Sequence, residues 1–336
     1  MRLGVLWTTI EVGGGPEPSP NSYYRAIDPM KAMERRGHEV MWPRQAPTAA
    51  DVRRFADADV VHVYRIATRD VRRALAELAR RGTAITYDND DDFTAVPKQS
   101  PYYRQSGGLK GQRIFAETAK LAQMATCCTT TNERLAEKYR RAGAERVEVV
   151  PNCLAPDLER PRNRHDGVVI GWVAAGEHQQ DADRLKIGEV LRSLMERHPD
   201  VSVECIGINL GLPERYRHDL WLPFSELPRR IGRFDIGIAP LVEDPWNLTR
   251  SDIKLKEYAA SGVPWLASPV GPYLGLGEAQ GGRLVPDDGW LDALERLVTQ
   301  RRERRRLARK AKAWGKRETI ESVADRWEQF FSEACC

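Results

Sequence analysis

The stretch that most constrains the fold is residues 235–267, DIGIAPLVEDPWNLTRSDIKLKEYAASGVPWLA. It reads as an apolar strand, a loop, a short polar helix, a Gly-Val-Pro turn and a second apolar strand. Two strands joined through a helix need a crossover connection, so they lie parallel in a sheet covered on both faces. The same order sets a helix N-terminus, with Arg250, Ser251, Lys254 and Glu257 gathered near it, at the mouth of that sheet. Unpaired N–H groups and the positive end of the helix dipole make such a mouth receptive to phosphate. A carboxylate one turn deeper, Glu257, suits a ribose diol.

Alternation of strand and helix extends over the whole chain. Strands are expected at 3–7, 38–42, 60–64, 84–88, 127–130 and 147–150, with helices near 21–36, 69–81, 112–123 and 132–142. The first helix carries Tyr23, Ala26, Ile27, Met30 and Met33 at helical spacing, and Gly37 ends it as a C-cap. Residues 151–166 are polar, hold three prolines and read as an interdomain connection. A second series follows, with strands at 168–173, 201–206, 235–239 and 264–267 and helices near 182–197, 251–261 and 290–297. A last helix, 319–332, presents Ile320, Val323, Trp327, Phe330 and Phe331 on one side. A chain of 336 residues is long for one hydrophobic core, so the expectation is α/β with two Rossmann-like domains, 1–155 and 167–318, and a terminal helical segment, 319–336.

Composition removes several classes of protein. Hydrophobic residues make up 41% and charged residues 30%, as in ordinary soluble proteins, and no apolar run approaches the roughly 20 residues of a membrane span. The opening MRLGVLWTTIEVGGG reads as a first strand, its apolar part being too short for a signal peptide. Cys127, Cys128, Cys153, Cys205, Cys335 and Cys336 form no CxxC and no zinc-finger spacing with histidine, so free thiols in a cytoplasmic protein are expected, with neither metal site nor disulfide framework. The net charge of +4 does not imply nucleic acid, although residues 301–317 are locally very basic. That run reads first as a solvated helix face; an anionic membrane surface or a nucleic acid would also suit it. Only Trp314 interrupts it, so it offers no stacking platform for single strands.

Several segments together resemble the GT-B glycosyltransferases, in particular their family-4-like group. YYRAIDPMKAMERRGHEV is similar to the first helix and second strand of that fold, and VEVVPNCLAPD to the Pro-Asn segment that leaves its N-terminal domain. GWVAAGEHQQD resembles the first strand and loop of the C-terminal domain. FDIGIAPL, followed by N-x-x-R-S-x-x-K-x-x-E-Y-A-A-x-G-V-P, resembles the donor-site segment. The resemblance implies two Rossmann-like domains facing across a cleft, the N-terminal one for the acceptor and the C-terminal one for the donor, with the C-terminal helix crossing back. It also implies sugar transfer from a UDP- or GDP-sugar, with retention and without a metal or other cofactor. Many members carry two glutamates separated by seven residues, the first lying near the donor sugar. Glu257 matches the second, but Thr249 stands at the first, which leaves the sugar undefined and keeps a non-catalytic sugar-nucleotide or glycan-binding relative in view.

Residue by residue, Arg250 and Lys254 are expected to face the diphosphate and stabilise its growing charge. Ser251 either caps the helix or touches phosphate, and Asp252 is expected to point outward. A solvated helix face would also explain Arg250 and Lys254, and an exposed pair with Lys254 would explain Glu257. Gly14 and Gly15, in the Gly13–Gly15 loop, could bring backbone close to a ligand or form a plain flexible loop. Gly176 and His178, with Asp181, occupy the corresponding donor loop by resemblance; a lone loop histidine is also an ordinary surface residue. Asp90 and Asp91, within DNDDD after strand 84–88, are candidates for the acceptor hydroxyl, with one raised pKa expected from crowding, or else an Asp-rich turn. Arg65, ending its strand, either reaches the cleft or forms an ion pair. The acceptor is left open among glycan, lipid-linked, protein and modified-base classes, and sugar-nucleotide epimerisation is a further reaction the fold would serve.

Overall fold

The computed structural model describes residues 1–12, 15–44, 46–156, 158, 160–162 and 165–335. Its contacts form two compact units, Met1–Thr94 with Leu109–Pro156 and Thr319–Cys336, and Ala95–Gly108 with Asp157–Glu318. Among the described residues no helix is long and apolar enough to cross a membrane.

The first unit contains β1 (Arg2–Leu6), β2 (Thr9–Val12), β3 (Gly15–Pro18), β4 (Glu39–Met41), β5 (Val60–Tyr64), β6 (Ala84–Asp88), β7 (Cys127–Thr130) and β8 (Val147–Val149). Six of these make a parallel sheet in the order β4-β1-β5-β6-β7-β8. β5 (VVHVY), β6 (AITYD) and β7 (CCTT) are buried at every residue, so even their polar members, His62, Thr86, Asp88, Thr129 and Thr130, are enclosed. One face packs Leu3, Val5 and Val60 against Met30 and Met33 and against Trp327, Phe330 and Phe331 of the Ala324–Ala334 helix. The other packs Val61, Val63 and Ile85 against Leu75, Leu121 and Leu135.

Two local features depart from the sequence expectation. The glycine-rich stretch enters an antiparallel hairpin, in which β2 and β3 pair from Thr9 opposite Pro18 to Val12 opposite Gly15. Gly13 and Gly14 lie outside the described residues. The expected 21–36 helix is interrupted by a π turn, Tyr23–Ile27, before Asp28–Arg35. Pro29 has no N–H to give to the Arg25 carbonyl one turn back. The buried His62 ring meets that carbonyl instead, with Nε2 3.0 Å from it.

The second unit contains β9 (Val168–Ala174), β10 (Val201–Gly207), β11 (Tyr216–Asp219), β12 (Ile236–Ala239), β13 (Trp265–Ala267) and β14 (Gly282–Leu284). All are parallel, in the order β11-β10-β9-β12-β13-β14. The two edge strands were not expected: β11 is the polar and half-exposed YRHD, and β14 is only GRL. The expected 182–197 helix is divided into Gln179–Arg184 and Ile187–Arg197 by Lys186 in a left-handed conformation, φ 52°. Gly207, φ 98°, ends β10 where a Cβ would sit 2.2 Å from the Ala174 carbonyl oxygen, so only glycine lets β10 leave beside β9. The basic run forms the Arg301–Gly315 helix, which buries Leu307, Ala311 and Trp314 and exposes Arg301, Arg302, Arg305 and Arg309.

Candidate functional site

The second unit's strand order fixes where a ligand can enter. The chain steps outward from β9 to β10 and β11, then returns to β12 on the other side of β9. In open α/β sheets a ligand binds at such a reversal, outside the carboxyl ends of the two strands, here β9 and β12. The loop after β9 carries Gly176, Glu177 and His178; the loop after β12 delivers Arg250 to the start of the Ile253–Ala260 helix. Tyr258 seats that helix under the sheet, donating its hydroxyl to the Ile238 carbonyl at 2.9 Å and accepting from the Val173 N–H at 2.9 Å.

Side chains stitch the two loops together. Asp181 Oδ1 accepts from the Val242 N–H at 2.9 Å and from Asn247 Nδ2 at 2.8 Å. Gln180 Nε2 donates to Asp244 Oδ2 at 2.8 Å. Arg250 Nη2 pairs with Glu177 Oε1 at 2.9 Å, and its guanidinium lies 5.3 Å from the Trp246 ring centroid. His178 bridges Asp181 Oδ2 (2.8 Å from Nδ1) and Lys254 Nζ (3.0 Å from Nε2).

Burial sets the protonation of this cluster. It lowers His178 well below its ordinary range, with Lys254 adding to the effect, so the imidazole is neutral. A neutral ring that serves both neighbours donates from Nδ1 to Asp181 and accepts at Nε2 from Lys254. Burial and then the Arg250 charge pull Lys254 down to about 7. Asp181 is pushed up to about 6 by burial, against its hydrogen bonds from Val242 and Asn247. Burial alone would raise Glu177, but the Arg250 charge holds it below the usual carboxylate value.

Gly176, His178, Arg250 and Lys254 thus share one crevice. Ser251 precedes the helix cap rather than forming it, because Asp252 occupies the N-cap position. Asp252 turns to Lys256, 3.3 Å away, and Lys256 also meets Glu318 at 3.0 Å. Glu257 is buried and pairs with Arg160 at 2.9 Å, not with Lys254. Thr249 is buried, and its hydroxyl donates to the Trp246 carbonyl at 2.9 Å. Residues 95–108 add a contact with no sequence signal. A Cβ on Gly176 would meet Pro101 Cγ at 2.6 Å, so glycine there admits Pro101 directly over the loop.

The aspartates of the first unit are differently placed. Asp90 accepts from the Tyr64 hydroxyl at 2.7 Å, Arg65 Nε at 2.8 Å and Asn21 Nδ2 at 2.8 Å. Arg65 also pairs with Asp91, Arg25 with Asp88, and Lys138 with Asp92. The expected raised pKa from crowding is therefore corrected at Asp90. Burial would raise it, but Arg65 and Tyr64 outweigh that and lower it. A carboxylate so held is a weak proton acceptor. Gly15 is a hairpin residue opposite Val12. Sequence reasoning passed over Glu177, Asn247 and Arg160; the one available signal was a carboxylate beside His178 in a loop that follows an apolar strand.

No family model matches the chain, and no curated protein matches it by sequence. Its fold does match solved structures. Sucrose-phosphate synthase from Thermosynechococcus elongatus gives a TM-score of 0.67 at 13% identity, over 99% of this chain and 98% of that one. Anabaena Alr3699/HepE in complex with UDP and glucose gives 0.65 at 13% identity, over 98% and 99%. A putative UDP-N-acetylglucosamine 2-epimerase from Listeria monocytogenes gives 0.56 at 12% identity, over 98% and 96%. This likeness establishes the fold, the two-Rossmann-domain GT-B architecture.

Proposed function

We propose that the protein is a glycosyltransferase that moves a sugar from a nucleotide sugar, UDP- or GDP-linked, to an acceptor. The observation that carries this is the pair Arg250 and Lys254 at the switch point between β9 and β12. Glycosyl transfer builds negative charge on a leaving diphosphate while the anomeric carbon becomes cation-like, and preorganised cations in a partly dry crevice stabilise that charge. An arriving phosphate would restore the charge on Lys254, so donor binding takes up a proton when the pH is above about 7. Glu257, one turn into the helix and oriented by Arg160, is the ribose-side carboxylate. UDP and UDP-glucose complexes of HepE, a protein of the same fold, support the donor class. Retention and metal independence are proposed on the family resemblance; the acceptor is proposed only as a hydroxyl-bearing compound.

The test is thermal-shift screening against UDP, GDP, ADP and their sugars, because a ligand that binds the folded state raises its melting temperature. A shift with one nucleotide class, followed by slow hydrolysis of its sugar, is the expected result; no shift with any of them overturns the proposal. The fold match to the Listeria epimerase favours one second reading, nucleotide-sugar epimerisation. Product analysis separates the two, since epimerisation leaves the nucleotide–sugar bond count unchanged and transfer does not.

A further inference from the structure

We infer that Glu177 is a specificity-determining residue that favours a glycosylated diphosphate over the free nucleoside diphosphate. The inference rests on the nucleotide-sugar function proposed above. Three observations lead to it. First, position 249 holds a threonine whose hydroxyl is turned back onto the Trp246 carbonyl, so this position supplies no carboxylate. Second, Glu177 brings a carboxylate to Arg250 from the opposite loop: its Oε1 lies 2.9 Å from Arg250 Nη2. Third, the loop is held rather than free. Pro101 packs on Gly176, and His178, the following residue, is clamped between Asp181 at 2.8 Å and Lys254 at 3.0 Å.

A buried carboxylate beside a diphosphate-binding arginine is a burden if phosphate is the only ligand, because two anions then compete for one guanidinium. It becomes useful if the ligand carries hydroxyl groups beyond the phosphate. A carboxylate accepts hydrogen bonds from sugar hydroxyls, and such charge-assisted bonds are among the stronger ones. The free nucleoside diphosphate lacks those donors and carries an additional ionised oxygen on its terminal phosphate. Glu177 therefore repels the product and holds the donor, which would also hasten product release.

The experiment compares wild type with Glu177→Gln, measuring Kd for UDP and for UDP-glucose by calorimetry; GDP and GDP-mannose are used instead if the nucleotide screen selects guanine. The amide keeps the shape and removes the charge. The expected result is tighter binding of the free diphosphate and unchanged or weaker binding of the sugar form, so that the ratio of the two constants moves by about tenfold or more. Equal changes in both constants overturn the inference while the nucleotide-sugar function stands. Wild type that binds neither nucleotide overturns the function itself. If the glutamine variant does not fold, Glu177→Asp, which keeps the charge but shortens its reach, is read by the same ratio: weaker sugar-form binding with unchanged diphosphate binding supports the inference, and parallel change refutes it.

Discussion

Replacing Lys254 by methionine should weaken nucleotide binding and stabilise the fold, and the size of the stabilisation should depend on pH. Burial, followed by repulsion from Arg250, brings the Lys254 amine from 10.5 to about 7. At about 1.4 kcal/mol per pKa unit, holding the charged form would cost the folded state at most about 4–5 kcal/mol. Water around a partly exposed amine reduces this to about 1–3 kcal/mol. Removing the amine also deprives His178 Nε2 of its partner at 3.0 Å, which costs about 1 kcal/mol. The net expectation is a gain of up to about 2 kcal/mol near pH 6. The sign follows from proton counts. Between about 7 and 10.5 the unfolded chain binds more protons at this lysine than the folded one, so wild-type stability rises with pH through that window. The variant's advantage is therefore full below about pH 7 and shrinks above it, and using the difference between the two proteins largely cancels the other titrating groups. Urea unfolding of both proteins near pH 6 and pH 9 measures it, with UDP titration alongside, where affinity should fall about 10–100-fold. A less stable variant near pH 6, or a gap that does not narrow near pH 9, would refute the reasoning.

Glu257→Gln should weaken nucleoside diphosphate binding about tenfold and leave inorganic pyrophosphate binding unchanged in competition titrations, as the ribose-side role proposed for Glu257 requires. Nucleotide affinity in wild type should decline as pH rises above about 7, where Lys254 must take up a proton to bind an anion; pH-dependent calorimetry in buffers of differing ionisation heat reads that uptake directly. Arg25→Met should cost about 3–5 kcal/mol in chemical unfolding, since it strands the fully buried Asp88 carboxylate. Thiol labelling of the native protein should modify Cys335, which is exposed, and spare Cys127, Cys128, Cys153 and Cys205 until denaturant is added. Burial pushes Cys127 and Cys205 up to about 12, far from the thiolate form.

What the sequence disclosed and what it hid follow from burial. β5, β6 and β7 lie where they were expected, because the enclosed runs VVHVY, AITYD and CCTT are short and mostly apolar or β-branched although each carries polar residues. β11 and β14 were hidden for the opposite reason: an edge strand needs little apolar surface, and YRHD and GRL carry almost none. The π turn at Tyr23–Ile27 depends on a partner 37 residues away, His62, which no local periodicity reports. Arg250, Lys254 and His178 were legible because each sits at a strand-to-helix junction with a recognisable neighbourhood. Glu177 was not, since its meaning comes from Arg250, 73 residues distant.

The two clusters of charge also differ in a way that bears on which of them awaits a ligand. In the first unit each named aspartate already has its cation: Asp88 has Arg25, Asp90 and Asp91 share Arg65, and Asp92 has Lys138. Adding an anion there would break pairs, and adding a cation would displace one. In the second unit Lys254 makes no ion pair among the described residues and leans on a neutral imidazole. Burial, and after it the neighbouring Arg250, lowers its pKa to about 7 against the pull of Glu177 and Asp181. An anion arriving at the carboxyl ends of β9 and β12, such as the proposed donor diphosphate, would restore the charge on Lys254.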